Sequence, residues 1–162
     1  MPAHRPVLIL DYDGVIHSYA SGWQGIDVCP DPPTDGLWRF LEEAHPHFTL
    51  AVHSSRSGAL IGRRAMQRWA LEWGKMAGYV MADGCLDTVD AVFAESPDGT
   101  ERWALTFPEH KPPAFLTIDD RAITFRGNWN EVDVEALRAF RPWTRNSAPP
   151  HERPPEGAGG RA

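Results

Sequence analysis

Asp11 and Asp13 stand one residue apart, directly after the apolar run Val7-Leu8-Ile9-Leu10 and directly before Gly14. On an extended backbone two carboxylates at this spacing leave on the same face, and the glycine lets the chain turn away behind them. Such a pair suits a nucleophile beside a proton carrier, or two oxygen ligands for one hard cation. A plain Asp-Gly turn ending a strand is the simplest competing reading. A calcium loop beginning Asp-x-Asp is excluded, because it would close on Glu at its twelfth position, where this chain has Gly22.

Further reactive groups follow at comparable places. The run Phe48–Val52 ends in His53-Ser54-Ser55-Arg56, and Phe115–Ile118 ends in Asp119-Asp120-Arg121, with Lys111 upstream. Continuous aliphatic runs read as buried strands of a parallel sheet, and such sheets bind ligands at the edge where strands give way to loops. Residues far apart in sequence would therefore meet at that edge. Phosphoryl transfer needs this inventory: a carboxylate to attack phosphorus, a second to handle the proton, and a lysine and a hydroxyl to hold the oxyanions. Hard oxygen donors without a His or Cys cluster favour magnesium.

The elements that must position these groups follow from periodicity. Residues 17–33 hold too many turn formers for a long helix and read as a loop or small hairpin over the first strand end. Leu37, Phe40, Leu41 and Ala44 recur at helical spacing behind Thr34 or Asp35 as a cap. A second helix runs from Ala59 to about Met76, with Met66, Trp69, Trp73 and Met76 on one face, Trp69 and Trp73 in the core, and Ser57 a better cap than Ser54. Between 77 and 103, Asp83-Gly84 and Pro97-Asp98-Gly99 mark turns, and the stretch between them fits a short helix or a strand. Trp103–Phe107 reads as a strand, Phe115–Ile118 as a buried one, Ala122–Phe125 as a short one, and Val132–Phe140 as a last helix.

Bulk properties narrow the class. The chain has 162 residues, 42% of them hydrophobic and 23% charged, which fits one soluble domain with a core of its own. One domain over residues 1–146 is expected, and a Pro- and Gly-rich disordered tail over 147–162. The start, Met1-Pro2-Ala3-His4-Arg5, shows no secretory pattern and no apolar run is long enough to span a bilayer, so a cytoplasmic protein without membrane partners is expected. Two cysteines, Cys29 and Cys85, lack metal-ligand spacing. A net charge of -6 disfavours strong unspecific binding to nucleic acid.

Taken in order, Asp-x-Asp-Gly-Val, Ser, Lys-Pro and Asp-Asp resemble the haloacid dehalogenase-like hydrolase superfamily, over the chain to about residue 130. The local wording, Ser-Ser-Arg-Ser and Ile-Asp-Asp-Arg-Ala included, is similar to small bacterial and phage members. The resemblance implies a Rossmann-like, three-layer α/β domain with a mainly parallel central sheet, and a magnesium-dependent phosphatase working through an aspartyl-phosphate. It implies Asp11 as nucleophile and metal ligand, and Asp13 as acid and base whose carbonyl also touches the metal. Ser54 would hold the phosphoryl oxygen, Lys111 would neutralise it, and Asp119 or Asp120 would complete the metal shell. The gaps between motifs leave no room for a large cap domain, so an open site is expected, taking a small phosphorylated molecule or a macromolecular end such as a nucleotide or nucleic-acid phosphate. His17, Trp23, His53, Ser55 and Arg56 are the nearest candidate substrate contacts: Arg56 can pair with phosphate bidentately or form a structural salt bridge, and Trp23 can stack on a base or sugar or serve as a packed indole. A catalytically silent domain that keeps the phosphate or metal pocket is the alternative, because a fold does not fix activity. A phospho-receiver domain fits less well, since there the Lys comes last.

Overall fold

In the computed structural model, which describes residues 5–145, the aliphatic runs become the middle of one sheet. In chain order the elements are β1 (Val7–Leu10), α1 (Leu37–Ala44), β2 (Thr49–Val52), α2 (Leu60–Met76), β3 (Val80–Leu86), β4 (Val89–Glu95), β5 (Arg102–Thr106), β6 (Leu116–Ile118) and α3 (Val134–Ala139). The strand order is β3-β4-β5-β2-β1-β6. β1 runs parallel to β2 and β6, and β2 parallel to β5, whereas β3 and β4 join antiparallel at one edge. The result is an open, mostly parallel α/β sheet. Leu8, Leu10, Val52, Leu41, Met66 and Trp69 are buried together, and each such side chain contributes roughly 1.5–3 kcal/mol when taken from water.

The chain divides into two compact units, the first, which carries the sheet, ending at Asp120. Within it, the loop and α1 fill the interval from β1 to β2, and α2 with the β3–β4 hairpin fills that from β2 to β5. The second unit holds a 3-10 turn at Trp129–Glu131 and α3, capped by the Asp133 carboxylate accepting from the Glu135 amide at 2.9 Å. No strand forms over 122–125. The expected tail at 147–162 lies outside the described residues. Among the described residues, no helix is long and apolar enough to cross a membrane.

Several local expectations are corrected. The ambiguous segment is the β3–β4 hairpin, and Asp83-Gly84 lies inside β3 rather than in a turn. The turn itself is Asp87-Thr88, both at positive φ (48° and 72°), as a two-residue hairpin requires. Neither expected cap functions as one. Gly36 precedes α1 with φ 80°, and Thr34 Oγ1 instead donates to the Val15 carbonyl at 2.6 Å. Ala59 precedes α2, and Ser57 Oγ accepts from the Ser54 amide. Met76 is solvent-exposed, so the buried face of α2 ends before it. β6, expected to be buried, is an edge strand with Leu116 and Ile118 exposed.

Candidate active site

Parallel pairing of β1 with β6 brings the acidic residues together. Leu10 stands opposite Ile118, and the Asp11 amide donates to the Ile118 carbonyl at 2.9 Å, so Asp11 and Asp119 leave the same sheet edge side by side. One carboxylate oxygen from each of Asp11, Asp119 and Asp120 falls within 4.8 Å of the others. Burial chiefly pushes the Asp11 carboxyl up to about 6; a hydrogen bond with the Tyr12 backbone opposes the rise, and the charges of Asp119, Asp120 and Asp13 add to it. Like charges crowded at partly buried positions are relieved when a cation joins them. Three carboxylate oxygens so placed could hold a metal ion.

Asp13 has a different environment. Gly14, at φ 84°, folds the chain back so that the amides of Val15, Ile16 and His17 all face the Tyr12 carbonyl, at 3.0–3.2 Å. Arg56 Nε donates to Asp13 Oδ2 at 2.8 Å and Nη2 to Oδ1 at 3.2 Å. His17 Nδ1 lies 3.0 Å from Asp13 Oδ1. Because the Asp31 amide donates to His17 Nε2 at 3.1 Å, Nε2 is the acceptor and the proton is assigned to Nδ1, which therefore donates to Asp13. Burial acts to raise the Asp13 carboxyl, but the hydrogen bonds from His17 and Arg56 and the charge of Arg56 outweigh it and hold the group below its ordinary range.

An outer layer fixes these donors. Arg56 Nη1 donates to the carbonyls of Gly25 (2.7 Å) and Ile26 (2.8 Å). Its guanidinium carbon lies 4.5 Å from the Trp23 ring centroid and 5.7 Å from that of Tyr12. The Asp31 carboxylate accepts from the amide (2.9 Å) and hydroxyl (2.5 Å) of Ser21, while its carbonyl accepts from Trp69 Nε1 at 2.8 Å. Tyr12, fully buried, stacks on His17 with ring centroids 5.1 Å apart.

β2 supplies the next group. The His53 amide donates to the Leu10 carbonyl at 3.1 Å, which sets the 53–57 turn beside the end of β1. Ser54 Oγ accepts from the Arg56 amide at 3.0 Å and stands 3.5 Å from Met66 Sδ, so the serine shapes the turn that carries Arg56. Ser55 is exposed. Lys111 is exposed on the loop before β6. Burial lowers the His53 ring, hydrogen bonding with the Glu109 backbone opposes this, and the charges of Lys111 and His110 lower it further.

The structure thus brings Asp11, Asp119 and Asp120 into one cluster, with Asp13 beside it. His17 and Arg56, expected as substrate contacts, are both 0% exposed and are committed to Asp13 instead. Trp23 is the exposed aromatic of that loop. Asp31, Ser21 and the carbonyls of Gly25 and Ile26 were missed, because Asp31-Pro32-Pro33 reads locally as a turn and carries no sign of its distant partners. A hollow of about 610 Å³ over the sheet face, lined in part by Val80, Ala82, Phe93 and Ala104, contains none of these groups. The chain matches no protein-family model, no curated protein and no solved structure, so its own residues carry the functional reading.

Proposed function

We propose that this protein is a magnesium-dependent phosphomonoester hydrolase of the haloacid dehalogenase-like kind, on the Rossmann-like fold that goes with it. The observation that carries the reading is the three-carboxylate cluster of Asp11, Asp119 and Asp120 at the ends of two adjacent parallel strands, with Asp13 two residues on. Asp11, Asp119 and Asp120 would hold magnesium, which when bound supplies charge that neutralises the phosphoryl oxygens. A carboxylate oxygen of Asp11 attacks phosphorus, the bond to the leaving oxygen breaks, and an aspartyl-phosphate remains. Water then attacks that phosphorus with Asp13 taking its proton, which releases phosphate and restores the Asp11 carboxylate.

The Arg56 and His17 donors keep Asp13 ionised, so it is ready to accept a proton, although as a weak base, and has none to give in the first step. Its ionised form is favoured, so the first step is best served by substrates whose leaving oxygen needs little protonation. The same observation favours a second reading, a silent phosphate- or metal-binding domain in which Asp13 is purely structural. One assay separates them. Purified protein with magnesium is screened against alkyl and aryl phosphate esters: turnover that rises with leaving-group acidity and is lost by at least about a thousandfold in Asp11→Asn is expected. Inactivity of the unaltered protein across the panel would leave only the binding role.

A further inference from the structure

We infer that Trp23 is a stacking platform for the base of a nucleoside monophosphate whose phosphate lies at the Asp11 cluster; this rests on the phosphoester reading of that cluster. The indole is 53% exposed, and the Arg56 guanidinium lies 4.5 Å from its ring centroid. The guanidinium thus lies against the ring while about half of the residue stays in solvent. The cation is itself fixed by four oxygens, two on Asp13 and the carbonyls of Gly25 and Ile26. Trp23 is therefore braced by the same side chain that holds Asp13, which couples an exposed aromatic ring to the reacting end of the site.

A flat, sequence-tolerant indole face recognises another flat ring, and each nucleobase offers one. A sugar ring is puckered and meets an indole only through its C–H groups, so it gains less from the contact. In an aryl phosphate the ring is bonded to the ester oxygen and would sit at the attacking carboxylate itself. The contacts of Trp23 reach Asp13 only by way of Arg56, which suits a ring joined to its phosphate through a ribose. The net charge of -6 favours a small nucleotide over a long polyanion.

Binding, with no turnover read, tests this. The Asp11→Asn protein is titrated by calorimetry, in magnesium, with adenosine 5′-phosphate and with ribose 5-phosphate. Any loss of cation affinity affects both ligands alike, so their ratio isolates the base. The nucleotide should bind about tenfold more tightly, the size of one base stacked on an aromatic ring. Adding Trp23→Ala should erase that ratio while leaving ribose 5-phosphate within about twofold, and Trp23→Phe should keep most of it. Equal binding of the two ligands, no measurable nucleotide binding, or a Trp23→Ala loss shared equally by both overturns the inference, the last showing that Trp23 only shields Arg56. Trp23-dependent binding of phosphotyrosine in place of the nucleotide also overturns it. None of these outcomes bears on hydrolysis, which the ester panel decides separately.

Discussion

Arg56 donates from full burial to both oxygens of Asp13 and to two loop carbonyls, so its removal strands a carboxylate and two acceptors at once. Breaking a buried pair from one side costs roughly 3–5 kcal/mol, mostly the desolvation of the charge left behind. Arg56→Ala should lose stability on that scale in urea unfolding. Asp13→Ala combined with Arg56→Ala should then be less destabilised than the sum of the single variants by about 1–3 kcal/mol. Strict additivity would show that the clamp carries no coupling. The residue types of the site could be read from sequence wherever a carboxylate followed an apolar run, as at Asp11 and Asp119. The use of Arg56 and His17 could not, because Arg56 meets Asp13 across 43 residues of chain and nothing local marks the pairing.

The helix behind that turn makes a sharper demand than its sequence suggests. A Cβ at Gly62 in α2 would lie 2.3 Å from the Arg56 carbonyl oxygen and 3.1 Å from Ile26 Cγ1. Helix propensity alone would have Gly62→Ala stabilise by about 1 kcal/mol. The clash is with backbone that cannot step aside without moving Arg56, so a net loss of roughly 1–3 kcal/mol is expected instead. Gly74, in the same helix, is the control: its Cβ would meet Met81 Sδ at 2.6 Å, on a side chain that can rotate away. Paired melts of Gly62→Ala and Gly74→Ala should show the first clearly more damaging, and the reverse order would remove Gly62 from the site's support. Element existence was legible in β1, β2 and β5 because aliphatic runs are unmistakable. The β3–β4 hairpin was not, since β3 shows no alternation of exposure and turns on Asp87-Thr88, where Thr88 at φ 72° replaces the glycine such turns favour.

At the scale of the molecule, the proposed cation site would link folding to cation binding. With Asp11 raised to about 6 in the metal-free protein, its proton contributes stability that is fully present below the ordinary carboxylate value near 4 and is lost as pH rises through 6. Asp13 works oppositely: its lowered carboxyl contributes stability above the ordinary value, which is lost as pH falls through its depressed one. A cation that binds the ionised cluster removes the Asp11 penalty, so magnesium should stabilise strongly at pH 7.5 and weakly at pH 5. At a hundredfold excess over Kd the gain is about 2.7 kcal/mol, large enough to read as a clear rise in Tm. Below pH 6 the cation must displace a proton, so its affinity should drop by up to about tenfold per pH unit, with proton uptake by the buffer visible in calorimetry. Asp119→Asn, the exposed member of the cluster, should weaken the magnesium-dependent rise while leaving the fold intact, and Asp120→Asn, whose carboxylate oxygens are buried, should weaken it as well, with far-UV circular dichroism checking that the fold is kept. A magnesium response equal at both pH values, or unchanged when Asp11 is replaced by Asn, would detach the cluster from cation binding.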